Sequence, residues 1–310
     1  MTALPPGTAG LPARVAGLLA GRTSDAAYAG GWALVRALPE PVALGAFRLG
    51  ADLAVRRGGG AVDRLRANLV RVAPHADPDV LVRDGMRSYA RYWCEVFRLP
   101  ELPAEVVLER AETDGEHHLR AALAAGRGVV MALPHAGNWD AAGAWVVARG
   151  VPFTTVAERL RPESLFDRFV AFREGLGMEV LPLTGGARPP YEVLTERLRA
   201  GGALCLLADR DLTPRGVDVT FFGAAARMPA GPARLALETG AALLPVTLAF
   251  RPGGWDQTIW PEVPHTDVAG MTQDMADAFQ RGIAAHPADW HMLQRLWLDD
   301  LDPDDPRRAR

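Results

Sequence analysis

Lysine is absent from this sequence of 310 residues, and all 34 basic residues are arginine. Asparagine occurs only at positions 68 and 138, while alanine, glycine and proline are abundant. That bias reflects a GC-rich genome rather than a chemical demand. Cysteine is also scarce. Cys94 and Cys205 lie far apart in apolar helix or strand patterns, and no CxxC or mixed His/Cys spacing suits a metal. A reducing cytosolic compartment fits this usage, although the sequence leaves a disulfide open. No stretch reaches the roughly 18 uncharged apolar residues that a spanning helix needs. Nor does the N-terminus show a charged start followed by an apolar core, the pattern of a signal peptide. Any membrane association is therefore expected to be peripheral. A net charge of only −3 argues against a general nucleic-acid binder. Apolar residues, by contrast, make up 49% of the chain. That is ample for a substantial core and argues against wholesale disorder.

Residues 1–10, rich in Pro and Gly, read as a loose tail. The pattern is then helical, with helices expected over 25–37, 40–57, 60–72 and 78–98. Pro39 and Pro41 punctuate the first pair and Gly58-Gly59-Gly60 the next. Val62, Leu65, Leu69 and Val72 recur at helical spacing. Beyond residue 105 strands and helices alternate. Strands are expected over 105–109, 128–133, 152–157, 179–183, 203–208, 217–222 and 242–250. Helices are expected over 115–125, 138–149, 163–175, 189–200 and 229–239, with a last one near 270–285. This rhythm predicts an α/β fold, a central mostly parallel or mixed sheet flanked by helices. The run "ALCLLA", apolar throughout, suits a buried central strand. The simplest division is a helical N-terminal extension (1–104), an α/β core (105–298) and a charged tail (299–310), together one compact unit.

Chemistry concentrates in "ALPHAGNWDAAG", residues 132–143. Pro134 stops the strand ladder, and Gly137 and Asn138 suit a turn and helix start. His135 then stands at the C-terminal end of a strand, where open α/β sheets place their ligands. Asp140 falls in the first helical turn, from which it is expected to bend back to the imidazole. Such a carboxylate fixes the tautomer and makes the other ring nitrogen a better general base. With no Ser or Cys close in sequence, His135 is suited to activating a hydroxyl brought by a substrate. Spacing alone is equally met by a helix-capping His and an ordinary first-turn Asp.

Several further segments follow in a fixed order: "RLRANLVRV" (64–72), "VAERLRPESLFDRFVAFREGLGMEVLPL" (156–183), "LLADRDL" (206–212), "VTFFG" (219–223), "PAGPARLALETGAALLPV" (229–246) and "DWHMLQRLW" (289–297). With the His135 motif they resemble the bacterial lipid A biosynthesis acyltransferase family, a branch of the HxxxxD glycerolipid acyltransferases, over roughly residues 28–297. "AERL", "DRDL" and "WHMLQRLW" are most similar to the actinobacterial phosphatidylinositol mannoside acyltransferases. The resemblance implies transfer of a fatty acyl group from acyl-CoA to a sugar hydroxyl of a mannosylated phosphatidylinositol, without metal or cofactor. It implies His135 as general base and Asp140 as its partner. Glu158 matches an acidic position of the motif, suited to binding acceptor hydroxyls or positioning His135. Asp209 stands where the mannoside enzymes commonly have Glu, one methylene longer. Arg173 matches a motif arginine and is the leading candidate for a CoA phosphate, with Arg159, Arg215 and Arg234 weaker, while Arg210 is a substrate-binding candidate paired with Asp209. Asn138 completes the substrate-binding candidates, and Phe222 and Gly223 are candidates for the wall of an acyl channel. Trp290, His291 and Trp297 read as structural.

Other readings are an acceptor of lipid A type or another glycolipid, a DxD glycosyltransferase using Asp209-Arg210-Asp211, and a non-catalytic lipid-binding protein. Finally, residues 1–72 hold nine arginines against four acids, with Tyr28 and Trp32 one helical turn apart and an apolar run from Val42 to Val55. That composition suits docking on an anionic membrane, expected at its cytoplasmic face.

Overall fold

The computed structural model of the chain describes residues 30–159, 163–211, 216–302 and 304–305. The N-terminal helices fall where prolines and glycines placed them: α1 (30–37), α2 (Glu40–Arg57), α3 (Gly60–Val72) and α4 (Pro78–Arg98). The expected start of α1 lies outside the described residues. Asp77 caps α4 by accepting from the N–H groups of Asp79 and Val80, with Pro78 in the first turn. Val62, Leu65, Leu69 and Val72 of α3 are all buried, so the 3.6-residue stripe is the face that packs.

One expected strand is a helix. Residues 105–109 lie in α5 (Ala104–Arg110), and the strand β1 (Ala111–Asp114) begins after it. The β-branched pair Val106-Val107 suggested extension. Only Val107 is buried, however, and the segment packs on a neighbouring helix, so tertiary contact overrides local preference. The alternation then runs α6 (Glu116–Ala124), β2 (Val129–Leu133), α7 (Trp139–Ala148), β3 (Phe153–Ala157), α8 (Glu163–Gly175), β4 (Glu179–Pro182), α9 (Pro190–Arg199), β5 (Ala203–Leu207), β6 (Val217–Phe221), β7 (Ala224–Met228), α10 (Gly231–Thr239), β8 (Ala242–Arg251), β9 (Gly254–Ile259) and α11 (Val268–Ala285).

Seven strands form a mixed sheet in the order β1-β9-β8-β2-β5-β3-β4. From β8 to β4 every pairing is parallel, and β9 pairs antiparallel with β8. Strands β7 and β9 were not expected. Each closes a hairpin whose turn looks like the end of a strand in sequence. Pro252-Gly253 turns β8 into β9. Phe222-Gly223, with φ of 48° and 73°, turns β6 into β7, as a two-residue turn with both central residues left-handed requires.

The sheet carries a core on each face, because successive residues of a buried strand point to opposite sides. Val130, Ala132, Leu204 and Leu243 pack on one side with α3, α9, α10 and α11. Val129, Met131, Leu133, Leu244 and Val246 pack on the other with α5, α7 and α8. Strand β2, buried along its whole length, therefore delivers its C-terminal end to the middle of the molecule.

Candidate active site

The register of the central strands builds the site. Leu133 of β2 lies opposite Leu207 of β5, and the Ala208 N–H donates to the Leu133 carbonyl at 2.8 Å. Two residues further along each parallel strand stand His135 and Asp209. Their side chains meet there: His135 Nδ1 lies 2.5 Å from Asp209 Oδ1. The His135 backbone N–H donates to Asp209 Oδ2 at 2.9 Å, and Trp290 Nε1 donates to the same oxygen at 3.0 Å. Asp209 is fully buried. Burial pushes its carboxyl up, but the His135 charge and the hydrogen bonds from His135 and Trp290 outweigh that and hold it below its ordinary value. An ionised Asp209 keeps the His135 proton on Nδ1. Nε2 is then the free basic nitrogen, and among the described residues it has no hydrogen-bond partner.

This corrects the expected pairing. Asp140 does not contact His135. Its Oδ1 accepts from Arg173 Nε at 2.7 Å, and its Oδ2 accepts from Tyr92 Oη at 2.9 Å and from an Arg173 terminal nitrogen at 3.3 Å. The physical reason is direction. Asp140 lies on the inner face of α7, turned toward α4 and α8, whereas His135 turns along the sheet edge toward β5. Arg173 is thereby committed to a carboxylate rather than presented to solvent for a phosphate, with its side chain 17% exposed. Burial disfavours its charge, but the Asp140 charge more than compensates and raises its pKa. Burial and the same carboxylate raise the Tyr92 phenol well above its ordinary value.

The remaining candidates divide. Asn138 caps α7, accepting from the Ala141 N–H at 3.0 Å and donating to Glu95 Oε2 at 2.8 Å. Its polar atoms are thus spent inside the protein rather than on a substrate. Glu158 is exposed at the end of β3 and lies 3.6 Å from Arg210, so these two do meet, beside Asp209. Phe222 and Gly223 form the β6–β7 turn and sit with the core on the opposite face of the sheet from α7. Neither lines the apolar cavity found beneath α7. Arg215 lies outside the described residues. The DxD reading loses its first carboxylate, since both oxygens of Asp209 are taken by His135 and Trp290.

Beneath α7, on the sheet face that carries α7 and α8, an apolar cavity crosses the strands from Phe153 on β3 to Ile259 on β9. Leu133, Trp139 and Leu207 line it close to His135. Gly143 lets α7 approach, because a Cβ there would meet Met178 Cε at 2.7 Å. At about 50 Å³ the cavity is a narrow seam. Met131 and Met178 in its lining are unbranched and adaptable.

Sequence reasoning missed Tyr92 and Glu95, and it read Trp290 and His291 as structural without seeing that they brace the His135 loop and Asp209. The His291 N–H donates to the His135 carbonyl at 2.8 Å, and the Gly137 N–H donates to the Asp289 carbonyl at 2.9 Å, so the segment 289–291 holds the His135 loop from beneath. Gly137 is obligatory in that loop: its φ is 55°, and a Cβ would lie 3.0 Å from the Ala249 backbone nitrogen. Only the "DWHMLQRLW" segment itself signalled these contacts.

A His–Asp pair thus stands at the C-terminal ends of two parallel strands, beside an apolar cavity, in an α/β fold. The chain belongs to the bacterial lipid A biosynthesis acyltransferase family, whose family model matches residues 18–299. It is 56% identical over 297 residues to the phosphatidylinositol mannoside acyltransferase of Mycolicibacterium smegmatis, covering 94% of this chain and 96% of the relative. It is 55% identical over 294 residues to the protein of the same description from Mycobacterium tuberculosis H37Rv, covering 93% and 92%.

Proposed function

We propose that this protein transfers a long-chain fatty acyl group from acyl-CoA to a mannose hydroxyl of a phosphatidylinositol mannoside. One observation carries the reading: His135 is held by a buried carboxylate, with Nε2 free, beside an apolar cavity, in a chain so similar over its length to relatives described by that activity. His135 Nε2 removes the proton of the acceptor hydroxyl as its oxygen attacks the thioester carbon. Asp209 fixes the tautomer and stabilises the imidazolium. The thiolate of CoA then leaves and takes up that proton. A thioester has a leaving group good enough to dispense with a metal or protein nucleophile. Asp140, through Arg173 and Tyr92, anchors α7 over the cavity that receives the acyl chain. Glu158, exposed, and Arg210, half-buried, meet acceptor hydroxyls beside the dyad.

The protein meets its lipid acceptor as a peripheral protein at the cytoplasmic face of the membrane. Among the described residues no helix is long and apolar enough to cross a membrane. Val42, Leu49 and Leu53 are exposed at helical spacing on α2, with exposed Arg48, Arg56 and Arg57 beside them. That combination suits an interfacial helix on anionic lipid. Trp32, in contrast, packs inward: its Nε1 donates to the Phe97 carbonyl at 2.9 Å.

The test is to incubate the purified chain with labelled palmitoyl-CoA and a panel of glycolipids, then identify the product by mass. Acylation of a mannosylated phosphatidylinositol is the expected result. Transfer only to a lipid A precursor, or to none of the panel, would overturn this reading.

A further inference from the structure

Trp139 carries a buried polar group that the fold does not use. Its Nε1–H is shielded from solvent, yet no hydrogen-bond acceptor for it exists among the described residues. A buried N–H left unpaired forfeits the free energy of its lost hydration, so native proteins keep few of them. The ring itself is fixed. It stacks on Tyr92 with centroids 3.9 Å apart, Asn138 caps the helix that it begins, and it lies edge-on to His135 at 5.5 Å. It also lines the apolar cavity together with Leu133 and Leu207. Packing that held the ring only for its apolar surface would be served equally by Phe. A donor that is fixed, unpaired, and placed between the basic histidine and the acyl cavity has the character of a group awaiting a substrate oxygen.

We propose that the Trp139 indole N–H donates to the thioester carbonyl oxygen and stabilises the oxyanion that forms on it. The inference rests on the acyl-thioester reading given above. In the addition step the acceptor hydroxyl gives its proton to His135 Nε2 and its oxygen bonds to the thioester carbon. The carbonyl π pair moves onto oxygen, and the Trp139 N–H donates a hydrogen bond to that oxygen. In collapse that pair re-forms the carbonyl and the C–S bond breaks. The thiolate takes the proton back from the imidazolium, so atoms and charge balance. A preorganised donor needs no reorganisation as the charge develops, which makes such groups effective in catalysis. His291 is the competing explanation. Its Nδ1 is likewise buried and unpaired, and its ring lies 6.0 Å from that of Trp139. A water shared by the two atoms would make the indole a structural group.

The experiment compares the full-length wild type with Trp139→Phe and with Trp139 replaced by 3-benzothienylalanine. The latter keeps the bicyclic ring and puts sulfur in place of N–H. Measured are kcat and KM for palmitoyl-CoA with a mannosylated phosphatidylinositol, the Tm, and the Kd of hexadecyl-CoA thioether, which lacks the thioester carbonyl. Expected for both variants is a fall in kcat of about 10²- to 10³-fold, the usual effect of removing one oxyanion donor. Thioether affinity and Tm should stay near wild type. A benzothienyl variant with wild-type kcat would overturn the proposal, because ring shape alone would then suffice. So would a loss of kcat matched by an equal loss of thioether affinity, which would make Trp139 only a wall of the cavity. A lowered Tm with unchanged kcat would assign the N–H to His291. If the wild type itself fails to acylate any glycolipid from palmitoyl-CoA, the underlying reading falls before the variants are compared.

Discussion

Asp140→Asn and Asp209→Asn are nearly isosteric changes in two buried carboxylates, and they should damage the protein in different ways. Asp140 is 2% exposed and neutralises Arg173. The amide keeps the volume but leaves a guanidinium without its counter-charge where burial already disfavours it. Breaking one member of such a pair costs about 3–5 kcal/mol. At roughly 2–4 °C per kcal/mol for a chain approaching this size, Tm should fall on the order of 10 °C. Adding Arg173→Met removes the stranded charge, so the double variant should recover much of that loss. Asp209→Asn acts on catalysis instead. Three N–H groups converge on the two carboxylate oxygens, and a carboxamide offers them only one. The imidazole loses the partner that sets its tautomer, and kcat should fall by about 10²- to 10⁴-fold, the usual span for acid–base catalysis. Both quantities are accessible: Tm by differential scanning fluorimetry, and kcat by release of the CoA thiol with a mannosylated acceptor. A folded Asp140→Asn protein with unchanged Tm and little turnover, beside an Asp209→Asn protein with near-normal turnover, would refute the assignment and restore Asp140 as the partner of His135.

Three shorter predictions accompany it. His135→Ala should abolish acyl transfer while leaving the far-ultraviolet circular dichroism and the cooperative unfolding transition intact, and near-normal turnover would sink the mechanism. Binding to anionic vesicles should weaken with rising salt, each arginine near the surface contributing about 1 kcal/mol. It should weaken when Arg48, Arg56 and Arg57 are changed together to Gln, and hardly at all for Arg64 and Arg66, which pair with Asp300 and Asp79; equal binding by both sets and to neutral vesicles would exclude the electrostatic part. Burial lowers His291 from its ordinary 6.5 to about 3, so below pH 6.5 the unfolded chain takes up a proton that the folded one refuses. Stability in urea should therefore fall by about 1.4 kcal/mol per pH unit from this group between pH 6.5 and 3, a slope that His291→Gln removes.

Much of the fold was legible because its signals are local. Gly58-Gly59-Gly60, Asp77-Pro78 and the prolines at 39 and 41 set the ends of α2, α3 and α4 where they are found. Uniformly apolar strands such as "ALCLLA" identified the parallel centre. The misses share a cause. In α5 the pair Val106-Val107 reads as strand, and only its packing on α7 decides for helix. Strands β7 and β9 are hidden because Phe222-Gly223 and Pro252-Gly253 look like terminators, whereas each is a tight turn into a further strand.

The site shows the same limit more sharply. The order of the chain places Asp140 five residues after His135, and that nearness suggested a pair. Catalytic partners, however, are set by sheet register, which sequence spacing does not report. His135 and Asp209 are 74 residues apart, yet the pairing of Leu133 with Leu207 delivers them side by side. Once that register is given, the shorter side chain at position 209 is no obstacle: its carboxylate reaches Nδ1 at 2.5 Å with the His135 backbone N–H and Trp290 as further donors. Asp140 is then free for the other task that its helix position suits, which is to hold Arg173 and Tyr92 and so fix α7 against its neighbours. On the proposed function, the six residues from His135 to Asp140 supply two separate parts, a base at the sheet edge and an anchor for the helix above the cavity. Asp140→Asn should lower Tm and Asp209→Asn should lower kcat, and turnover read without Tm would score the two as one dyad. Only a stability measurement on each variant tells them apart.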